Sequence, residues 1–160
     1  MSAPTEGVDT LHVQALGHVV LKVRDLQRSE EFFSGLLGMS VVSRLADPPM
    51  SFYALDGSGN HHDFALVEVG PVAPAPGQRA TGLAHVAFKV GASARDFGPA
   101  RRVLASSGTP VLYEAERGSS RSMHVLDPDG NEIELYVDVP GVDWHSHPEL
   151  IGAAIRPLKL

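Results

Sequence analysis

The chain has 160 residues, 43% of them hydrophobic, enough for one domain of ordinary size or for two small modules sharing a core. Its net charge of −6 is dispersed, which argues against a nucleic-acid partner. It has no cysteine, so thiolate metal sites, thiol catalysis and disulfides are excluded. No apolar run reaches the roughly 18 residues a membrane span needs.

Residues 1–11 read as a disordered tail. They lack the basic start and apolar core of a secretory signal, and with the missing cysteine this favours the cytoplasm. From residue 12 to 139 the pattern predicts a single α+β domain, written as one unit twice. The first copy starts at His18 (HVVLKVRDLQRSEEFFSGLLGM) and the second at His85 (HVAFKVGASARDFGPARRVLASSG). Each opens with alternating apolar residues, the period of a strand, then passes a polar turn into a helical pattern. Leu26, Phe32, Phe33, Leu36 and Leu37 make the first helical stripe, and Phe97, Ala100, Val103 and Leu104 the second. Gly38 and Gly108 stand where helices end. Arg101 and Arg102 are read as part of a solvated helix face.

Three strands are expected after each helix. In module 12–70 these are Ser40–Leu45, Ser51–Leu55 and Phe64–Val69. In module 82–139 they are Pro110–Glu114, Arg121–Leu126 and Glu132–Val137. The turn segments DGSGN (56–60) and DPDGN (127–131) separate them. Each module is therefore β-α-β-β-β. The stretch 70–81, rich in Pro, Gly and Ala, is the linker. The tail 140–160 carries Trp144 and a final apolar stretch, so it is expected to pack on the domain or on a partner subunit.

Eight histidines are many for this length. His18 and His85 occupy matching positions of the two units, so their side chains can converge. Glu134 lies on the last strand and shares a face with Glu132 and Tyr136 by period-two counting. Two imidazoles and a carboxylate make a facial triad with open positions, suited to non-haem Fe(II), with Mn(II), Zn(II) and others as alternatives. Taken singly, each of these residues also fits an ordinary strand position.

The segments GHVVLKVRDLQRSEEFFSGLLGM, GLAHVAFKV and DPDGNEIELYVD resemble the vicinal oxygen chelate superfamily. Its members include glyoxalase I, methylmalonyl-CoA epimerase, fosfomycin-resistance transferases and extradiol ring-cleaving dioxygenases. The resemblance implies paired modules forming an open, cup-like sheet around a metal held by His18, His85 and Glu134. Glu68 comes too late in its strand for the fourth ligand of a glyoxalase. His62-Asp63-Phe64-Ala65-Leu66 is similar to a segment of one-domain extradiol dioxygenases whose histidine works beside the oxygen site. That implies a catalytic role for His62, with His61 as the other candidate. His124 stands where those enzymes carry a tyrosine and is a candidate to hydrogen-bond the substrate oxygen. Tyr113 and Arg121 are candidate pocket residues, and Trp144 and Tyr136 candidates for its mouth. His145 and His147 are not expected to form a second metal site.

The implied activity is oxidative opening of a catechol-like ring with O2, dependent on Fe(II), or else on Mn(II), Zn(II), Ni(II) or Co(II). The metal lowers a diol hydroxyl's pKa, and a neutral base assists the proton loss. The implied partners are a small aromatic substrate and O2, with a homodimer or larger homo-oligomer. The alternatives are a glyoxalase- or epimerase-like enzyme using another divalent metal, and a drug-sequestering binding protein.

Overall fold

The computed structural model describes residues 11–75, 77 and 79–158. The expected tail over 1–11 falls almost wholly outside them. The first module runs β1 (Val19–Val23), α1 (Leu26–Glu30), β2 (Ser40–Ala46), β3 (Pro49–Ala54) and β4 (Phe64–Glu68). The second runs β5 (Val86–Gly91), α2 (Phe97–Ser106), β6 (Tyr113–Glu116), β7 (Ser120–Leu126) and β8 (Glu132–Asp138), and a short β9 (Arg156–Leu158) follows. The two β-α-β-β-β modules match the predicted pattern.

Each module makes its own mixed sheet, in the order β1-β4-β3-β2 and β5-β8-β7-β6-β9. The first strand of each module pairs in parallel with the last, and the remaining ladders are antiparallel. β1 and β5 are therefore both edge strands.

Asp25 caps α1 by accepting from the Arg28 backbone N–H at 2.9 Å. Glu68 accepts from the Leu26 N–H at 2.9 Å, so its carboxylate is committed to the same helix start. After Glu30 the helix widens into a π-helical turn, Glu31–Leu36. The helical segments end at Gly38 and Gly108, whose φ values of 73° and 72° only glycine adopts without cost.

Alternation sorts the sheet faces. On β8, Ile133, Leu135 and Val137 are buried, while Glu132, Glu134, Tyr136 and Asp138 face the open side. Phe33, Tyr53 and Phe64 are fully buried, and Phe88 of β5 lies edge-on to Phe64 at 5.4 Å, so the second module completes the first module's aromatic cluster. A polar pin accompanies it. Asp129, in the turn before β8, accepts the Arg24 backbone N–H at 2.7 Å and its guanidinium at 3.3 Å.

Two features depart from the sequence pattern. Strand starts differ at β3, which begins at Pro49 rather than Ser51, and at β6, which begins at Tyr113 rather than Pro110 because its ladder with β7 starts at the Tyr113–His124 pair. Beyond the predicted elements, β9 pairs antiparallel with β6 and returns the tail to the second sheet.

Candidate metal centre

Ladder register builds the site. Tyr113 lies opposite His124, His124 opposite Glu134, and Glu134 opposite Ala87, so one row crosses β6, β7, β8 and β5. His85 precedes β5 and, two residues before Ala87, falls on the same open face. Its Nε2 lies 3.1 Å from Oε2 of Glu134, whose side chain is 16% exposed. Oε1 of the same carboxylate is 3.8 Å from Nε2 of His124. The rings of His85 and His124 are perpendicular, 5.7 Å apart.

His124 is buried and held at its other nitrogen. Nδ1 lies 2.7 Å from Oε1 of Glu132, and Nε2 lies 3.2 Å from Oγ of Ser122. Tyr113 stacks on the imidazole at 4.2 Å and donates to the same Glu132 oxygen at 2.6 Å. Burial works against the Glu132 carboxylate, but the Tyr113 and His124 hydrogen bonds outweigh it and hold its pKa below the ordinary carboxylate value. Burial first, then the Glu132 carboxylate, pushes the Tyr113 phenol well above its usual range, so it stays a donor.

The first sheet carries a separate histidine group. His18 precedes β1, and its ring lies 4.3 Å from that of His62, which precedes β4. Phe52 meets the His62 ring edge-on at 5.2 Å, and Nδ1 of His61 approaches Nδ1 of His62 at 2.5 Å. Burial, then the neighbouring His18 and His61, lowers the His62 pKa and favours the neutral ring.

The sequence-derived residues thus fall into two groups, His18 with His62 and His85 with Glu134 and His124. Among the described residues no three His, Asp or Glu side chains close on one point as a metal requires. The His85–Glu134 pair still fits a divalent metal by its chemistry, an imidazole nitrogen and a carboxylate oxygen facing each other on an open sheet face.

Beside Glu134 lies a cavity of about 480 Å³, walled by Tyr136 and Ser120 from the sheet and by Trp144 and Ile151 from the tail. His145 stacks on Trp144 and His147 meets Glu149, so each has a partner within the tail. A larger cavity of about 630 Å³ lies between the modules, lined by Leu37, Met39, Phe88 and Leu135, and none of the candidate donors reaches it. Sequence reading passed over Ser122 and the role of Glu132. The signal was there in the period-two run Ser120, Ser122, His124. Arg121, a candidate pocket residue or an ordinary strand position, has its guanidinium 5.8 Å from the Phe97 ring.

The family model described as "Glyoxalase/Bleomycin resistance protein/Dioxygenase superfamily" matches residues 15–135. Catechol-2,3-dioxygenase of Bacillus subtilis (strain 168) is 27% identical over 134 residues, covering 84% of this chain and 45% of that protein. Glutathione transferase FosA of Serratia marcescens is 30% identical over 128 residues, covering 78% of this chain and 82% of that protein. The chain therefore spans less than half of the first relative and most of the second. Among solved structures, a glyoxylase/bleomycin resistance protein/dioxygenase domain from Frankia sp. EAN1pec superposes with a TM-score of 0.68 at 24% identity, covering 85% of this chain and 99% of that one. The chain belongs to the glyoxalase/bleomycin resistance protein/dioxygenase superfamily.

Proposed function

We propose that this chain is a cytoplasmic, metal-dependent extradiol-type dioxygenase that opens a catechol-like ring with O2. Fe(II) is the first choice of metal, and Mn(II), Zn(II), Ni(II) or Co(II) are the alternatives. The observation that carries the reading is the His85–Glu134 pair, 3.1 Å apart beside a cavity with aromatic walls. The likeness to the Bacillus catechol-2,3-dioxygenase supports the same direction.

In this reading His85 and Glu134 hold the metal, and His18 is the third donor. His18 stands away from the pair at the start of an edge strand, so a second copy of the chain supplies it across a homodimer. His62, whose ring lies 4.3 Å from that of His18, arrives with it. A divalent metal supplies the site with acidification of a coordinated hydroxyl and a common binding point for diol and O2. The protein does the rest. Tyr136 and Trp144 receive the ring, His124 meets a substrate oxygen beside Glu134, and the neutral His62 takes or returns a proton on the opposite side.

The second reading is a transferase, lyase or isomerase with another divalent metal. It is supported by the likeness to glutathione transferase FosA of Serratia marcescens, 30% identical over 128 residues.

Anaerobic purification with metal analysis, then O2 uptake and ring-fission absorbance over a panel of catechols, separates the two. Iron with O2 uptake supports the first. Nickel, zinc or cobalt dependence without O2 uptake replaces it with the second. His18→Ala and Glu134→Ala are each expected to lose metal, and refolding them together restores one intact site per mixed dimer. Full metal retention in either variant refutes the triad, and metal loss with no rescue on mixing refutes the shared site.

A further inference from the structure

The open face of β8 presents Glu134, Tyr136 and Asp138 in a row, and all three line the cavity of about 480 Å³. A strand rises about 3.3 Å per residue, so the two carboxylate positions stand roughly 13 Å apart along it, with the tyrosine midway. A ligand held at Glu134 and laid over Tyr136 therefore meets Asp138 with whatever its ring carries on the far side. One aromatic ring with a short arm spans that distance. Trp144 and Ile151 cover the same stretch from the tail.

The far end has a definite polarity. Ser120, the partner of Asp138 in the β7–β8 ladder, lines the cavity with it, and so does Ser119. Lys89 of β5, opposite Tyr136 in its own ladder, donates to Oδ2 of Asp138. Lys89 lines the inter-module cavity, and no Lys or Arg lines this one. The ion pair is thus a dipole with its carboxylate on the side of the ligand and its ammonium on the side away from it. Its second oxygen, Oδ1, is left to the cavity, and a carboxylate oxygen only accepts. This end accordingly favours a group that donates hydrogen bonds or carries positive charge, and it repels an anion. The aromatic walls, Tyr136 and Trp144, favour a cation in the same sense. The Asp138 side chain is 47% exposed, so solvent screening keeps the effect modest.

We propose that Asp138 is a specificity-determining residue, and that the ligand is an aromatic diol whose ring carries, on the side away from the diol, a short arm ending in an ammonium or a hydroxyl rather than a carboxylate. The diol sits at the Glu134 end, the ring lies between Tyr136 and Trp144, and the arm donates to Asp138 beside the Ser120 hydroxyl. This rests on the reading of the site as one for aromatic diols.

Trp144 is the chain's single tryptophan and lines the cavity, so its fluorescence reports occupancy directly. Full-length Zn(II)-loaded protein is titrated anaerobically with unsubstituted catechol and with catechols bearing a two-carbon arm that ends in an ammonium, a hydroxyl or a carboxylate. Wild type is expected to bind the ammonium arm about fivefold tighter than the carboxylate arm, with the hydroxyl arm between them, the scale of a half-exposed charge contact. Asp138→Asn brings the ammonium and carboxylate arms level and leaves unsubstituted catechol as in wild type. Lys89→Met removes the counter-charge and widens the preference. A wild type that binds the carboxylate arm as tightly as the ammonium arm overturns the proposal, as does a preference that survives Asp138→Asn or fails to widen in Lys89→Met. An equal loss for every compound in Asp138→Asn, unsubstituted catechol included, overturns it too, because Asp138 then acts on the whole site and not on the arm. Absence of O2 uptake with the iron-loaded protein would sink the dioxygenase reading and leave the order of affinities standing.

Discussion

Replacing Arg101 by methionine tests how a buried carboxylate is held. Arg101 sits on α2 with its side chain 46% exposed, and it forks onto Glu114 of β6, whose side chain is 0% exposed. Its Nε donates to Oε1 at 2.6 Å, and Nη2 donates to Oε2. The Glu114 hydrogen bond raises the Arg101 pKa, so the cation persists at any working pH. Arg101→Met keeps the aliphatic stem over the sheet and strands the carboxylate. Breaking a buried pair from one side costs about 3–5 kcal/mol, and the half-exposed guanidinium points to the lower end, about 3 kcal/mol. For a chain of this size that lowers Tm by roughly 6–12 °C. Urea unfolding followed by circular dichroism measures it, with Arg102→Met, one residue along on an exposed position, changing stability by no more than about 0.5 kcal/mol. Arg101→Met combined with Glu114→Leu should recover most of the loss, because the stranded charge is gone. A single-variant loss under about 1 kcal/mol would refute the reasoning, showing that Glu114 finds water or a proton instead.

Two further outcomes follow from the same geometry. Arg44 donates to both carboxylate oxygens of Glu30 at 2.9 Å. That hydrogen bond is the first cause holding the Glu30 pKa below the ordinary 4.5. A depressed folded-state pKa contributes stability that is fully present above 4.5 and lost as pH falls through the folded value. The urea midpoint of Arg44→Met should accordingly depend less on pH below 4.5 than that of wild type, and an identical slope would dismiss the pair. At the cavity, Trp144→Ala is expected to raise KM for an aromatic substrate about five- to tenfold with metal content unchanged, while Trp144→Phe keeps most of the affinity. An unchanged KM would remove Trp144 from the pocket wall.

How much of this could be read from residues alone depended on range. The modules were legible because apolar-rich runs are set off by turn residues, so β2, β4, β7 and β8 begin within one residue of expectation, and on β8 burial also alternates residue by residue. The face holding Glu132, Glu134 and Tyr136 followed from the same rule. β9 was not legible, since three residues with a central proline carry no alternation, and it exists through its ladder to β6. Arg101 looked like a solvated surface cation because its partner lies thirteen residues away and inside the core. Matching repeat positions did identify His18 and His85 as counterparts. They did not say whether counterparts meet within one chain, because that depends on how whole sheets pack rather than on any local pattern.

The return of β9 to β6 divides the labour within the second sheet. The stretch between Asp138 and Arg156 is anchored at both ends by strand pairing, and Trp144 and Ile151 lean from it over the cavity. Closing a loop of that length costs little more than closing a shorter one, so its sequence and length can drift without unfolding the sheet beneath. His124 and Glu134 are fixed by ladder register, with His85 directly before the first residue of β5, and cannot drift in that way. Under the proposed function, ligand range can therefore evolve through the tether alone, over an unaltered sheet face.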